Sequence, residues 1–182
     1  MTEIEYSRAS EATTLCKACG LCCTGHLFSW VRLKATELTP LEKIGLNVIR
    51  TDPRQRGFTQ PCPMWNSICT IYDSHQYPRG CDSYKCKLLR ELLDESVSLP
   101  KALKVVKRAK KRISEVDSLL PASSISSFRE RLVTYWESNG ESNESGYVDP
   151  ELQQKAHALL LLYRNDFGVN DLIDALNESS AL

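Results

Sequence analysis

All eight cysteines of the chain fall between residues 16 and 86, and none follows in the long C-terminal remainder. They form three groups: Cys16, Cys19, Cys22 and Cys23; Cys62 and Cys69; Cys81 and Cys86. Ordinary buried thiols scattered through a core would not cluster in this way. A two-residue spacer lets a tight turn aim two sulfurs at one centre, with amide N–H groups pointing at them. Cys16, Cys19 and Cys22 can therefore wrap one centre, and Gly20 supplies backbone freedom for the wrap. Adjacent side chains diverge, so Cys22 and Cys23 are expected to serve different centres, or different edges of one.

Whether these thiols stay reduced depends on the compartment. The N-terminus is acidic and lacks a basic start followed by an apolar run, so no secretory signal is read there. The longest apolar run, 158–163, is far too short for a membrane span. The expectation is a soluble cytoplasmic protein, whose thiols are kept reduced. Disulfide staples, which an even cysteine count permits, are then the lesser reading. Metal–thiolate chemistry is the greater one. Eight thiolates could make two zinc sites of four. Alternatively, four could hold a cubane iron–sulfur cluster while the rest serve a second centre or redox chemistry. The C-x2-C-x2-C run leans toward iron–sulfur, although its fourth cysteine follows without the usual three-residue spacer.

Apolar residues make up 42% of the chain and charged residues 25%, enough for a hydrophobic core beside the metal. Net charge is zero, but residues 121–182 carry four basic and ten acidic side chains against nineteen and thirteen before them. The two parts can pack by complementary charge. Residues 1–14 read as loosely ordered or a short helix, and 27–33 as a strand. Thr36 is a candidate cap for a helix through Gly45. Residues 51–57 read as a loop, and 58–65 and 68–72 as two strands around Asn66-Ser67, the first limited by Pro61 and Pro63.

Helical spacing begins near Lys85 and resumes from Ser98-Leu99-Pro100 until Pro121. A further helix is predicted over 125–137, then a polar linker over 138–146. Asp149-Pro150 opens another helix that Gly168 stops, and Asn170 caps a last one over 171–176. The expected fold is α+β, mainly α: a cysteine-rich, metal-stapled region over 1–96 with short strands, and a helical region over 97–182 packed on it.

The cysteine segments resemble a known family. Cys16 to Cys23, Cys62-Pro63, Cys69-Thr70-Ile71-Tyr72 and Pro78-Arg79-Gly80-Cys81-Asp82-Ser83-Tyr84-Lys85-Cys86 are similar to the CxxCxxCC, or YkgJ-type, zinc- or iron-chelating cysteine-cluster domain. The resemblance covers residues 14–95. It implies zinc or iron bound by the cysteines. Longer members are flagellin lysine N-methylases, to which an iron–sulfur cluster is ascribed, so it also implies an alternative role as an enzyme or enzyme subunit acting on a protein partner. The family's Arg-Pro pair after Ile-Tyr is displaced here by His75-Gln76-Tyr77-Pro78, which puts the role of that Arg in doubt. Residues 97–182 lack the glycine-rich strand–helix turn of a methyl-donor site.

Other side chains carry weaker signals. His26 and His75 lie near cysteines and could replace a thiolate, but a lone His is more often a surface or hydrogen-bonding residue. His157 reads as structural. The basic run Lys101, Lys104, Lys107, Arg108, Lys110, Lys111 and Arg112 shares its helix with an apolar stripe, so a solvated face is preferred to a binding module for a partner or nucleic acid. Trp30, Phe58, Trp65, Tyr72 and Tyr84 flank the cysteines and read as core packing, compatible with shielding a cluster.

Overall fold

Three aliphatic stripes at helical spacing set the main core. The computed structural model describes residues 3–124, 127–140 and 149–170, apart from the side chains of 3–9 and 137–140. Helices α4 (Lys87–Leu93), α5 (Leu99–Asp117) and α7 (Pro150–Leu162) supply the stripes. Ser98 precedes α5 in extended backbone and Pro100 sits in its first turn, where a missing N–H costs nothing. Ala102, Val106, Ala109, Ile113 and Val116 form its buried face. On α7 the buried set is Leu152, Ala156, Leu159, Leu160 and Leu162. Ala102, Ala109 and Ala156 are fully buried, and such small side chains allow α5 and α7 to approach closely. The Asp149 carboxylate accepts the Glu151 N–H at 2.9 Å and caps α7. The helix runs into a π-helical turn, Tyr163–Phe167, and stops at left-handed Gly168. Helix α6 (Phe128–Gly140) adds Phe128 and Leu132.

The cysteine segment is anchored to this core. Helix α1 (Glu3–Cys19) packs on α4 and α5. Leu15, Leu21 and Leu27 are buried with Leu88, Leu89 and Leu92. Burying each such leucine contributes roughly 1.5–3 kcal/mol. A second, smaller core joins Leu33, Leu38, Leu41, Leu46 and Phe58. It lies between α2 (Ala35–Lys43) and an antiparallel sheet in the order β1 (Trp30–Arg32), β3 (Gly57–Thr59), β2 (Val48–Ile49). Phe58 faces Val31 on one side and Val48 on the other. Among the described residues there are seven α-helices and this one sheet, so the class is α+β, mainly α.

Several local expectations are corrected. The N-terminal residues form a 17-residue helix that carries Cys16 and Cys19, where a loop or short helix and a tight cysteine turn were expected. Helix α2 begins at Ala35 rather than after a Thr36 cap and ends at Lys43; its start is closed by Glu37, whose carboxylate accepts the Lys34 N–H at 2.7 Å. The strand expected over 27–33 is three residues long. The strand pair over 58–72 reduces to β3 and one bridge between Trp65 and Cys69, although a tight turn does form at Asn66-Ser67, with Ser67 left-handed. Pro61 and Pro63 cannot donate to a ladder, and the Cys62 N–H bonds to Cys23 instead. Helix α3 (Arg79–Ser83) was not anticipated. The linker's first residues continue α6, while residues 141–148 and the last helix over 171–176 lie outside the described residues. No helix among the described residues is long and apolar enough to cross a membrane.

Candidate metal centre

All eight cysteines are free thiols, and all are partly buried. Seven of them, Cys62 excepted, line one cavity of about 500 Å³. Sulfurs from three separated segments are thus gathered by the fold.

The gathering has identifiable causes. Cys16 and Cys19 sit three residues apart at the end of α1, hence on one face. Gly20 then turns left-handed, at φ +68°, and a Cβ there would lie 2.1 Å from the Trp65 ring. The indole of the second cysteine group therefore seats directly on the backbone of the first. Thr24, Gly25, His26 and Leu27 donate back to carbonyls of Gly20, Cys22 and Leu21, winding 20–27 into a compact loop. The Cys62 N–H donates to the Cys23 carbonyl at 2.7 Å, and the Trp65 N–H to the Cys62 carbonyl at 3.0 Å. Lys17 bonds Asp73 at 2.7 Å and lies over the Tyr72 ring, tying α1 to the segment after Cys69.

Cys81 lies on α3, whose first N–H, from Arg79, is accepted by Glu37 at 2.8 Å. Gly80 faces the Arg32 carbonyl, where a Cβ would come within 2.6 Å. Cys86 caps α4 and is carried against the end of α1 by the helix pairing.

The eight sulfurs fall into two neighbourhoods. Cys16, Cys19, Cys22 and Cys86 pack against the main core, whereas Cys62 and Cys81 pack against the smaller one. Electrostatic neighbours divide the same way. Burial pushes the Cys16 thiol up to about 11, and Cys86 adds to the rise. Burial takes Cys19 to about 12, with Cys86 and Cys16 adding to it. Cys22 is raised well above its ordinary range by burial, then by Cys19, Cys86, Cys23 and Cys16. In the other neighbourhood burial takes Cys81 to about 12, with Cys62 and Cys69 contributing. Cys23 is raised by burial, then by Cys69, Cys62 and Cys81, and last by Cys19. Cross-talk between the sets thus runs through the adjacent pair Cys22 and Cys23 and their neighbour Cys19.

Backbone amides oppose these rises at four sulfurs. Leu21 N–H favours the Cys19 thiolate, Met64 that of Cys62 and Ile71 that of Cys69. At Cys86 the amides of Leu89, Cys86 itself and Leu88 act together. In each case one donor comes from two residues onward, an arrangement that suits an anionic sulfur.

Metal fit is a matter of spacing and charge. Among the described residues, no three His, Cys, Asp or Glu side chains are arranged to hold a metal ion. Thiolates around one zinc stand at about 2.3 Å from it, and so must crowd together. A cubane iron–sulfur cluster binds each thiolate to its own iron and spreads the sulfurs over a larger body. A roomy cavity ringed by buried thiols, whose anionic forms would repel one another, fits the second kind of group, whose positive irons would offset that repulsion.

The remaining candidates lie elsewhere. His75 is exposed. His26 lines a second cavity of about 300 Å³ with Cys19, Lys110 and Asp117, edge-on to Phe128 at 4.9 Å, and neither histidine lines the main cavity. Among the aromatic residues, Phe58 is core, while Trp30 and Tyr84 are exposed on the cavity wall rather than packed within a core. Tyr77 also lines the cavity, 4.9 Å from Tyr72. Sequence reasoning missed its place because it had weighed Tyr77 only as a substituted Arg. Glu37 and Lys17, which position cysteines, carried no sequence signal beyond ordinary surface charge. On the basic helix, Arg108 pairs with Asp166, Lys111 with Glu115, and Lys110 with the Ala18 carbonyl. Comparison with known proteins finds no family model that matches the chain, and no curated protein or solved structure significantly similar to it.

Proposed function

We propose that the chain is an iron–sulfur protein whose cysteines hold the metal, working in electron transfer in the cytoplasm. One observation carries the reading: seven cysteines from three separated segments line a single cavity of about 500 Å³, all as free thiols. The backbone amides at Cys19, Cys62, Cys69 and Cys86 support it, since hydrogen bonds to sulfur stabilise thiolate ligands and tune a cluster's potential. The resemblance of the cysteine segments to the CxxCxxCC domain points the same way. When bound, such a cluster supplies a one-electron redox couple. The protein's own part is to supply thiolates, direct amides at them and wall the site with Phe28, Tyr72, Tyr77 and Tyr84.

A redox role is favoured over a purely structural one by the size of the aliphatic core. Small domains that depend on metal for folding lack such a core, and this one has it in α4, α5, α6 and α7. Anaerobic purification, a visible spectrum and iron, zinc and acid-labile sulfide analysis test the reading. Brown protein with equimolar iron and sulfide is the expected result. Colourless protein with zinc and no sulfide would overturn it.

A further inference from the structure

Seven cysteines in one cavity, with Cys62 bonded to the Cys23 backbone beside them, could surround one centre with spares or two centres side by side, and the packing distinguishes these. We propose that the chain holds two separate iron–sulfur clusters, one on Cys16, Cys19, Cys22 and Cys86 and the other on Cys23, Cys62, Cys69 and Cys81. The inference rests on the iron–sulfur reading above and adds to it the number of centres and the ligands of each.

Four observations carry the division. The first four cysteines all pack against the main core, and Cys62 and Cys81 against the smaller one. The sets therefore lie against two differently built parts of the fold. Helix α1 pairs with α4, and Cys16 and Cys19 from the end of the one and Cys86 from the start of the other line the same cavity. The Cys62 amide bonds to the Cys23 carbonyl, the Trp65 amide to the Cys62 carbonyl, and Trp65 bridges to Cys69, which places Cys23, Cys62 and Cys69 around one turn. Finally, Cys22 and Cys23 are neighbours in the chain whose side chains diverge. Among the other cysteines, Cys19 and Cys86 act most strongly on Cys22, and Cys69 and Cys62 on Cys23. Each set supplies four thiolates, the complement of one cubane.

The Cys22–Cys23 peptide joins the two centres. Their Cα atoms are about 3.8 Å apart, so the clusters would lie close enough to interact magnetically.

The test compares the full-length chain, reconstituted anaerobically with iron and sulfide, with Cys86→Ser, Cys69→Ser, the within-set pair Cys16→Ser/Cys86→Ser and the between-set pair Cys86→Ser/Cys69→Ser. Far-UV circular dichroism confirms that each variant is folded. The wild-type chain should bind about eight irons and eight sulfides, and each single variant about half of that. The within-set pair should lose no more than a single variant, whereas the between-set pair should lose essentially all. After dithionite reduction, the wild-type electron paramagnetic resonance signal should show spin–spin broadening, and each single variant a simpler, uncoupled spectrum. About four irons in the wild type, or equal losses from the two double variants, would overturn the division while leaving an iron–sulfur protein. Failure of the wild-type chain to take up iron and sulfide would overturn the underlying reading instead.

Discussion

Gly20 is the residue on which the first cysteine loop turns, and two independent constraints meet there. Its φ of +68° is left-handed, and the Trp65 ring occupies the space a Cβ would need. Gly20→Ala should cost at least about 2 kcal/mol in urea unfolding, from backbone strain plus displacement of the indole. Sequence gave a reason for a glycine here, the wrap of a C-x2-C loop, but not the indole, because that contact spans 45 residues. His26 makes a pH argument. Burial lowers its pKa to about 4, against a small upward pull from Asp117 and further lowering by Lys110 and Arg131, from 6.5 when exposed. The unfolded chain therefore binds this proton more readily than the folded one. The neutral imidazole's contribution is fully present above pH 6.5 and lost as pH falls toward 4, a loss of about 3 kcal/mol at the lower limit. Urea midpoints across that window should fall less steeply in His26→Gln, and parallel slopes would contradict the argument.

At the scale of elements, Glu37 links two helix starts. One oxygen accepts from Lys34 at the start of α2 and the other from Arg79 at the start of α3, the helix that carries Cys81. Glu37→Ala should therefore lower stability by about 1 kcal/mol, as loss of a helix cap does, while Glu37→Gln, which retains one acceptor oxygen, should lose less. Denaturant titration of both variants measures this. Elements with local stop and start signals were legible in the sequence: Ser98 and Pro100 open α5, and Asp149, Pro150 and Gly168 bracket α7 and its π-helical end. Those signals act within a few residues of the backbone they satisfy. The pairing of β2 with β3 was not legible, because Val48 and Ile49 are too few to show a period. Helix α1 was only partly legible because its residues 7–14 carry no large apolar side chain and its position depends on packing against α4 and α5.

For the whole molecule, the question is what the proposed metal would do for the fold. Leu132, Leu152, Leu159, Ala102, Ala156 and Val116 are essentially inaccessible to solvent in an aliphatic core against whose edge four of the cysteines pack. Anaerobic removal of metal with a chelator should therefore leave most of the helical circular dichroism intact, with changes confined to the aromatic region from Trp30, Trp65 and the cavity tyrosines. Collapse of the helical signal would mean that metal binding and folding are one event. Clustering along the chain announced that the cysteines would meet. It could not say which would sit together, since that depends on α1 reaching α4 and on Cys62 reaching Cys23, contacts with no local signature.

The two proposed groups of ligands are nested along the polypeptide, Cys23 to Cys81 lying wholly inside Cys16 to Cys86. During biosynthesis the inner ring is complete once residue 81 has left the ribosome, and five more residues deliver the sulfur that closes the outer one. If the intervening chain were already gathered in around an inner cluster, that last closure would cost little entropy, and assembly would follow the order of emergence.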